Sequence, residues 1–372
     1  MNKKNILIFV LLLLFVFFKS LLIFVIPGIL IIFFIKKNLS EMIVYVVACS
    51  ISFWIITFWF LNYIPLSLTT FFRLIFLITA IAIIQLKSIK KIKYDKMIIG
   101  LIIIVSIIRF IPFFQGYFPA GADMSFHTLT TEMIVQSNSV PKNYLPIFDI
   151  KYGAYPTGFH ALSAYFSLLT TTPTYRSVLF LSNFSYAFLL LAFYIFLRNF
   201  FNQKISLLSA FIITFIPFNP QYFIAWGGSP FVLSFSLMII SASLIWKFNK
   251  LNKIQVILFS MFSAASILIH PMSIYGFFLA YLPLFVYKNR NIIDKKFIKK
   301  SLFIVLLFII FILPYALNYK FDISQREQDW TKERNENKFL SWNGNINNIF
   351  RTIPRFLRNL FGPTFLILSF FS

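Results

Sequence analysis

KSIKKIKYDK, residues 87–96, runs directly into MIIGLIIIVSIIRFIPFF, residues 97–114, and the fold turns on this junction. Five lysines in ten residues abut eighteen residues that hold a single charge, Arg109. An apolar run of this length suits a helix that crosses a bilayer, which needs roughly 20 residues. Short Lys-rich segments stay on the cytoplasmic side of such helices. The helix from Met97 is therefore expected to start inside and end outside, and the segment beyond Phe114 is expected to be extracytoplasmic.

In that segment the apolar runs stop and unlike reactive groups gather: GADMSFHTLTTEMIVQSNSVPKNYLPIFDIKYGAYPTGFH, Gly121 to His160. It gathers Asp123, Glu132 and Asp149, three of the eleven acidic residues, and His127 and His160, two of the three histidines. Everything around it reads as membrane scaffold. The chain is 59% hydrophobic and only 12% charged, a composition that excludes an ordinary soluble globule and points to a polytopic membrane protein. The net charge of +23 would suggest nucleic acid in a soluble protein. Here the Lys and Arg fall in short clusters between apolar runs, which is the positive-inside pattern, so no nucleic-acid partner is expected. The single cysteine, Cys49, lies inside an apolar run and excludes disulfides and cysteine-based metal sites. The 52 phenylalanines carry no function by themselves.

Working outward, the run from Asn5 to Ile35 is too long for one ordinary crossing and is interrupted by Lys19, Pro27 and Gly28, so a hairpin or re-entrant pair is expected. It starts like a signal peptide but lacks a small-residue cleavage site, so it is read as retained. Met42 to Leu61 and Leu66 to Leu86 are each close to spanning length. After the polar stretch, Ser177 to Leu197 returns to Arg198 and Lys204. Ile205 to Pro217 goes out to NPQYFIAWGGSP, and Phe231 to Trp246 returns to Lys247, Lys250 and Lys253. Ile254 to Ile269 goes out to His270 and Pro271, Ile274 to Val286 returns to Lys288–Lys300, and Leu302 to Leu317 goes out again. Every strong basic cluster then lies inside, provided that Ala161 to Leu169, too short to span, stays in the interface or enters only partway. The result is an all-α integral membrane protein with about eleven transmembrane or re-entrant helices. It divides into N-terminal membrane helices (1–115), an extracytoplasmic loop with the candidate active site (116–160), a helix bundle (161–318) and an extracytoplasmic segment with an incomplete apolar run (319–372).

The same topology puts His127, His160 and His270 at one face. Asp123 and His127 are four apart, so on a helix starting near Met124 they lie about 40° apart on one side. That spacing suits one metal ion, Mg or Mn, or one acid/base pair; the plainer alternative is that Asp123 caps the helix. Glu132 turns to the opposite side and reads as a solvated face. Arg109, in the outer half of its apolar run, either snorkels to lipid headgroups or binds an anion such as a phosphate. Tyr155, Pro156, Gly158 and His160 in YGAYPTGFH form either a stiff turn back into the membrane or a wall of a substrate site. Trp226 in WGGSP is an interface anchor or a substrate contact, and Gly227 and Gly228 allow close backbone approach. His270 before Pro271 ends a helix as a polar cap or joins the site. No glycine-rich phosphate loop, GxSxG elbow or HExxH motif is present.

An acidic residue in a long first loop after an apolar helix, followed by Tyr155-Pro156-Thr157-Gly158 at the start of the next run, resembles the GT-C superfamily of polytopic glycosyltransferases. The nearest likeness is to the protein-mannosyltransferase and aminoarabinose-transferase-like branch, whose members carry YPP or HPP where this chain has YPTG. RNFFNQKISLLSAFIITFIPFNPQYF is similar to that branch's basic turn, helix and outer Pro segment. The likeness spans roughly Met97 to Tyr287, and GADMSFH carries one acidic residue where many members have a pair. The resemblance implies transfer of a sugar from a polyprenyl-phosphate donor to an extracytoplasmic acceptor at the cell membrane, with Asp123 matching the loop carboxylate as base or metal ligand. His127 would be its catalytic companion, and Arg109, Tyr155, His160, Trp226 and His270 would contact substrate. A transporter or lipid-carrier flippase would instead line a path through the membrane with polar groups, and charged residues within spans are few apart from Lys19. A non-catalytic assembly subunit is the third class.

Overall fold

The computed structural model describes residues 19–34, 39–85, 96–114, 118–119, 121, 123–145, 152, 155–215, 227–246, 251–276, 283, 285 and 295–320. Among these residues the secondary structure is helical, with no strand. The helices are α1 (Lys19–Val25), α2 (Leu39–Phe60), α3 (Leu68–Gln85), α4 (Lys96–Phe114), α5 (Met124–Ser137), α6 (Gly158–Thr170), α7 (Thr174–Leu197), α8 (Gln203–Phe215), α9 (Ser229–Ile245), α10 (Lys253–Ile269), the single turn α11 (Ser273–Gly276) and α12 (Lys295–Lys320).

The centre of the bundle is α2, whose sequence is apolar on every side and is therefore suited to burial rather than to a water-facing stripe. Trp54, Ile55, Phe58 and Trp59 are fully enclosed. The expected interruption at Pro27 and Gly28 is present: α1 stops at Val25, and a 3-10 turn, Gly28–Phe33, lies along α2. Only glycine fits there, because a Cβ on Gly28 would overlap the Val46 carbonyl. The Gly28 N–H donates to Ser50 Oγ at 3.0 Å, and that hydroxyl donates to Val46 O at 3.0 Å. Trp54 Nε1 donates to Ile23 O at 2.9 Å and fixes α1 to the same helix.

On the other side α9 packs between α7 and α10. Serines let these helices approach closely and bond across the interface, as small hydroxyl residues do in membrane bundles. Ser234 Oγ donates to Ser266 O at 2.7 Å, and Asn199 Nδ2 donates to Ser243 Oγ at 3.0 Å. The periphery is different. Leu77 and Ile78 of α3, Ile104 and Ile107 of α4, and Leu302 and Leu306 of α12 are exposed, an apolar exterior of the kind that lipid covers. Four helices, Glu41–Tyr63, Leu68–Gln85, Thr174–Leu197 and Phe297–Asn318, are long and apolar enough to cross a membrane, which marks the chain as a membrane protein.

Ala161 to Leu169, expected from its length to stay in the interface or enter only partway, lies in α6, which is buried from Gly158 through Ser167 against α1, α2, α5 and α7. Thirteen residues make a helix of about 20 Å, short of the ~30 Å hydrocarbon core, so α6 is lined by protein instead of lipid. Its ends are set by neighbouring helix ends. Asn138, left-handed at φ 47° after α5, accepts from Thr69 N at 3.2 Å and donates to Thr69 Oγ1 at 2.9 Å, holding the start of α3. Arg176 at the start of α7 donates to Phe113 O near the end of α4 at 3.1 Å. The end of α2, the start of α6 and the last turns of α12 meet at the same place, where Trp59 packs on Tyr152 and Tyr315 and Asn318 Nδ2 donates to Tyr152 O at 3.4 Å.

Candidate functional site

Three helices begin beside one another at this end of the bundle, and none is closed by a side chain. Asp123 occupies the N-cap position of α5, Thr157 that of α6 and Gly228 that of α9, all without a side-chain capping hydrogen bond. Asp123 therefore does not cap. Its backbone is in the right-handed helical region (φ −84°, ψ −6°), where a cap residue is ordinarily extended, and its carboxylate is exposed. Gly227, at φ 93°, abuts it: a Cβ there would lie 3.1 Å from Asp123 N and 3.2 Å from Met124 N. The pair of glycines in WGGSP thus permits the start of α9 to touch the start of α5.

His127, one turn into α5, ties two of the starts together. Its Nδ1 lies 2.8 Å from Nε2 of His160 in the first turn of α6. Tyr155 sits in front of the pair, with ring centroids 6.4 Å from His127 and 6.2 Å from His160. It meets His270 edge-on at 5.8 Å. His270 follows the last turn of α10 and ties to the next one: Nδ1 accepts from Met272 N at 3.2 Å, and its carbonyl accepts from Ser273 Oγ at 2.7 Å. Its ring packs on Phe231 at 5.4 Å as well as on Tyr155.

Burial sets the charge state of the cluster. It pushes the His127 imidazole down to about 4, against the opposing pull of the Asp123 carboxylate and the Gly227 backbone. Burial, with a smaller contribution from His127, takes His270 down to about 3 and His160 well below its ordinary value. Tyr155 is raised, by burial first and then by Asp123 and Tyr315. All three histidines are therefore neutral at neutral pH.

Of the residues singled out in the sequence, Asp123, His127, Tyr155, His160 and His270 come together. His160 is 0% exposed, so it touches other side chains of the site and not a ligand. Arg109 stands apart on α4, its guanidinium 5.2 Å from the centre of the ring of Tyr186 on α7. Glu132, expected on a solvated face, accepts from Thr174 Oγ1 at 2.6 Å and from Gln136 Nε2 at 3.0 Å, and so joins α5 to α7. Trp226 and Asp149 lie outside the described residues. Phe231 and Tyr315 belong to the site but do not stand out in the sequence, because an aromatic within an apolar run carries no signal of its own. Among the described residues no group of three or more His, Cys, Asp or Glu side chains is placed to hold a metal ion, and the His127 Nδ1 is taken up by His160.

The molecule is an all-helical membrane protein with a buried histidine cluster and one exposed carboxylate at converging helix starts. Residues 96–342, about two thirds of the chain and all of this cluster, match the family of unknown function DUF6541, and the chain belongs to that family. No curated protein and no solved structure matched it in comparison.

Proposed function

We propose that the protein is a multi-pass glycosyltransferase of the cell membrane, with about eleven membrane segments, that moves a sugar from a polyprenyl-phosphate donor to an acceptor on the extracytoplasmic face. One observation carries this reading: an exposed, uncapped carboxylate, Asp123, stands where three helix N-termini meet without side-chain caps. Helix starts present unpaired N–H groups and the positive end of the backbone dipole, the setting that favours a phosphate. A carboxylate beside such a setting has the opposite task. Asp123 removes the proton from the acceptor hydroxyl as it attacks the sugar carbon, and the lipid phosphate departs as an anion. Arg109, stacked on Tyr186 of α7, adds positive charge on the leaving-group side. Tyr155, half-buried between Asp123 and His270, is the aromatic surface against which a sugar ring would lie.

The test is Asp123→Asn. The substitution keeps size and removes the base, and Asp123 makes no capping bond whose loss would unfold α5. The variant is expected to accumulate in membranes like the parent and to lose about 10² to 10⁴ in transfer from a polyprenyl-phosphate sugar, the usual worth of general-base help. Parent-like turnover by the Asn variant would remove Asp123 from the reaction. Movement of a lipid or solute by a parent that transfers no sugar would replace the reading with transport.

A further inference from the structure

The His127–His160 contact is a bond between two neutral imidazoles, so one ring must donate and the other accept. Two arrangements exist, and the surroundings separate them. If His127 donated from Nδ1, His160 would carry its own proton on Nδ1, a fully buried atom with no hydrogen-bond partner. A buried N–H without a partner is among the rarest features of folded proteins, whereas a buried lone pair without one is tolerated more often. The opposite arrangement strands no N–H on His160: it donates Nε2–H to His127 Nδ1, and only its Nδ1 lone pair is left over.

From this we infer that His160 is a positioning residue, which fixes the tautomer and the ring of His127 one turn after Asp123. His160 itself, with no exposed surface, never meets substrate. The start of α9 lies against the same turn, since a Cβ on Gly227 would crowd Asp123 and Met124. The placement of α6 supports the same role. Gly158, two residues before His160, sits so close to Ile55 and the Leu268 carbonyl that the first turn of α6 cannot shift towards α2 and α10. The ring is thus carried on a wedged helix start. The positioning role rests on Asp123 being the reactive carboxylate only for its consequence in rate; the tautomer stands independently of the reaction.

The experiment uses the full chain in lipid nanodiscs, with ¹⁵N-labelled histidine, for the parent, His160→Gln and His160→Leu. The parent is expected to show His127 protonated on Nε2 with a hydrogen-bonded, unprotonated Nδ1. Gln, whose amide N–H can stand in for His160 Nε2–H, should keep that signature, and Leu should lose the hydrogen bond at Nδ1. A parent His127 protonated on Nδ1, or a Leu variant with an unchanged Nδ1 signal, would overturn the inference. In polyprenyl-phosphate-sugar transfer, kcat should fall about 10- to 100-fold in the Leu variant, the range for residues that orient a reacting group, with KM for the donor little changed and most of the rate recovered in Gln. A Leu variant with parent kcat would overturn the positioning role of His160. Absence of transfer by the parent would count against the glycosyltransferase reading, while the ¹⁵N signature would still decide the tautomer.

Discussion

Gly158→Ala is the smallest change that should disturb the site without touching any of its reactive groups. A Cβ at this position would lie 2.8 Å from the Leu268 carbonyl oxygen, 2.8 Å from Ile55 Cγ2 and 3.1 Å from Ile269 Cγ1. Two of these neighbours are side-chain methyl or methylene groups that can rotate, but the third is backbone at the last turn of α10 and cannot. Ordinary contact begins several tenths of an ångström further out, so α6 must move away from α10 by about that amount. Overpacking of this kind costs roughly 1–3 kcal/mol. Alanine gains up to about 1 kcal/mol in a helix interior, and less at a first-turn residue, so the gain does not cancel the clash. The net expectation is a loss of about 1–2 kcal/mol. The functional effect should be larger than the stability effect. His160 rides on the same turn, and a hydrogen bond of 2.8 Å weakens steeply when its partner moves by half an ångström or more. The assay pairs thermal denaturation in detergent micelles with sugar transfer in nanodiscs. The Ala variant should denature at a lower temperature and also lose rate while still folded. An Ala variant as stable and as active as the parent would refute the claim that α6 is wedged at Gly158.

The charge states and the topology each carry a further expectation. His127 and His270 have folded values of about 4 and about 3, below the ordinary value of 6.5, so between those limits the unfolded chain binds more protons than the folded one. Their contribution to stability is complete above about pH 6.5 and is lost as pH falls towards 4, each at up to about 1.4 kcal/mol per pH unit. Denaturation temperature should drop over that interval, and His127→Phe should flatten the drop; a pH-independent midpoint from 7 to 4 would contradict burial of neutral rings. For topology, a cysteine at Ser125 should react with an impermeant thiol reagent from outside intact cells, and one at Ser88 only after permeabilisation. Labelling of Ser125 from the cytoplasm alone would place the cluster on the wrong face for an extracytoplasmic acceptor.

The start of α5 is readable in the sequence because Gly121, Asp123 and the periodic segment after them are helix-start chemistry, and the observed helix begins at Met124. The break at Pro27 and Gly28 is readable for the same reason. The meeting of His127, His160 and His270 is readable in part, since alternating basic clusters put all three at one face. The sequence withholds pairings across distance. Nothing local says that His127 and His160, 33 residues apart, share a hydrogen bond, or that Arg109 stacks over the ring of Tyr186. The burial of α6 is withheld for another reason: apolar residues facing lipid and apolar residues facing protein give the same pattern, so hydropathy cannot say which neighbour covers a helix. Only the length of α6, too short to cross, hints that it is different.

The site divides its electrostatic work in a way that bears on the proposed reaction. A cationic histidine beside Asp123 would draw the carboxylate into an ion pair and blunt it as a base. Burial prevents this by keeping all three rings neutral. In the proposed reaction the positive field that a departing phosphate needs would come instead from helix starts, whose partial charges do not titrate, and from Arg109 on α4, which stacks on Tyr186. Base and anion site would thereby be kept from neutralising each other. The buried histidines serve as uncharged connectors between helix starts, and this explains why so apolar a protein retains three of them where a salt bridge would have joined the same elements. A charged pair there would have been stronger in isolation, but it would have cancelled the field that the reaction uses.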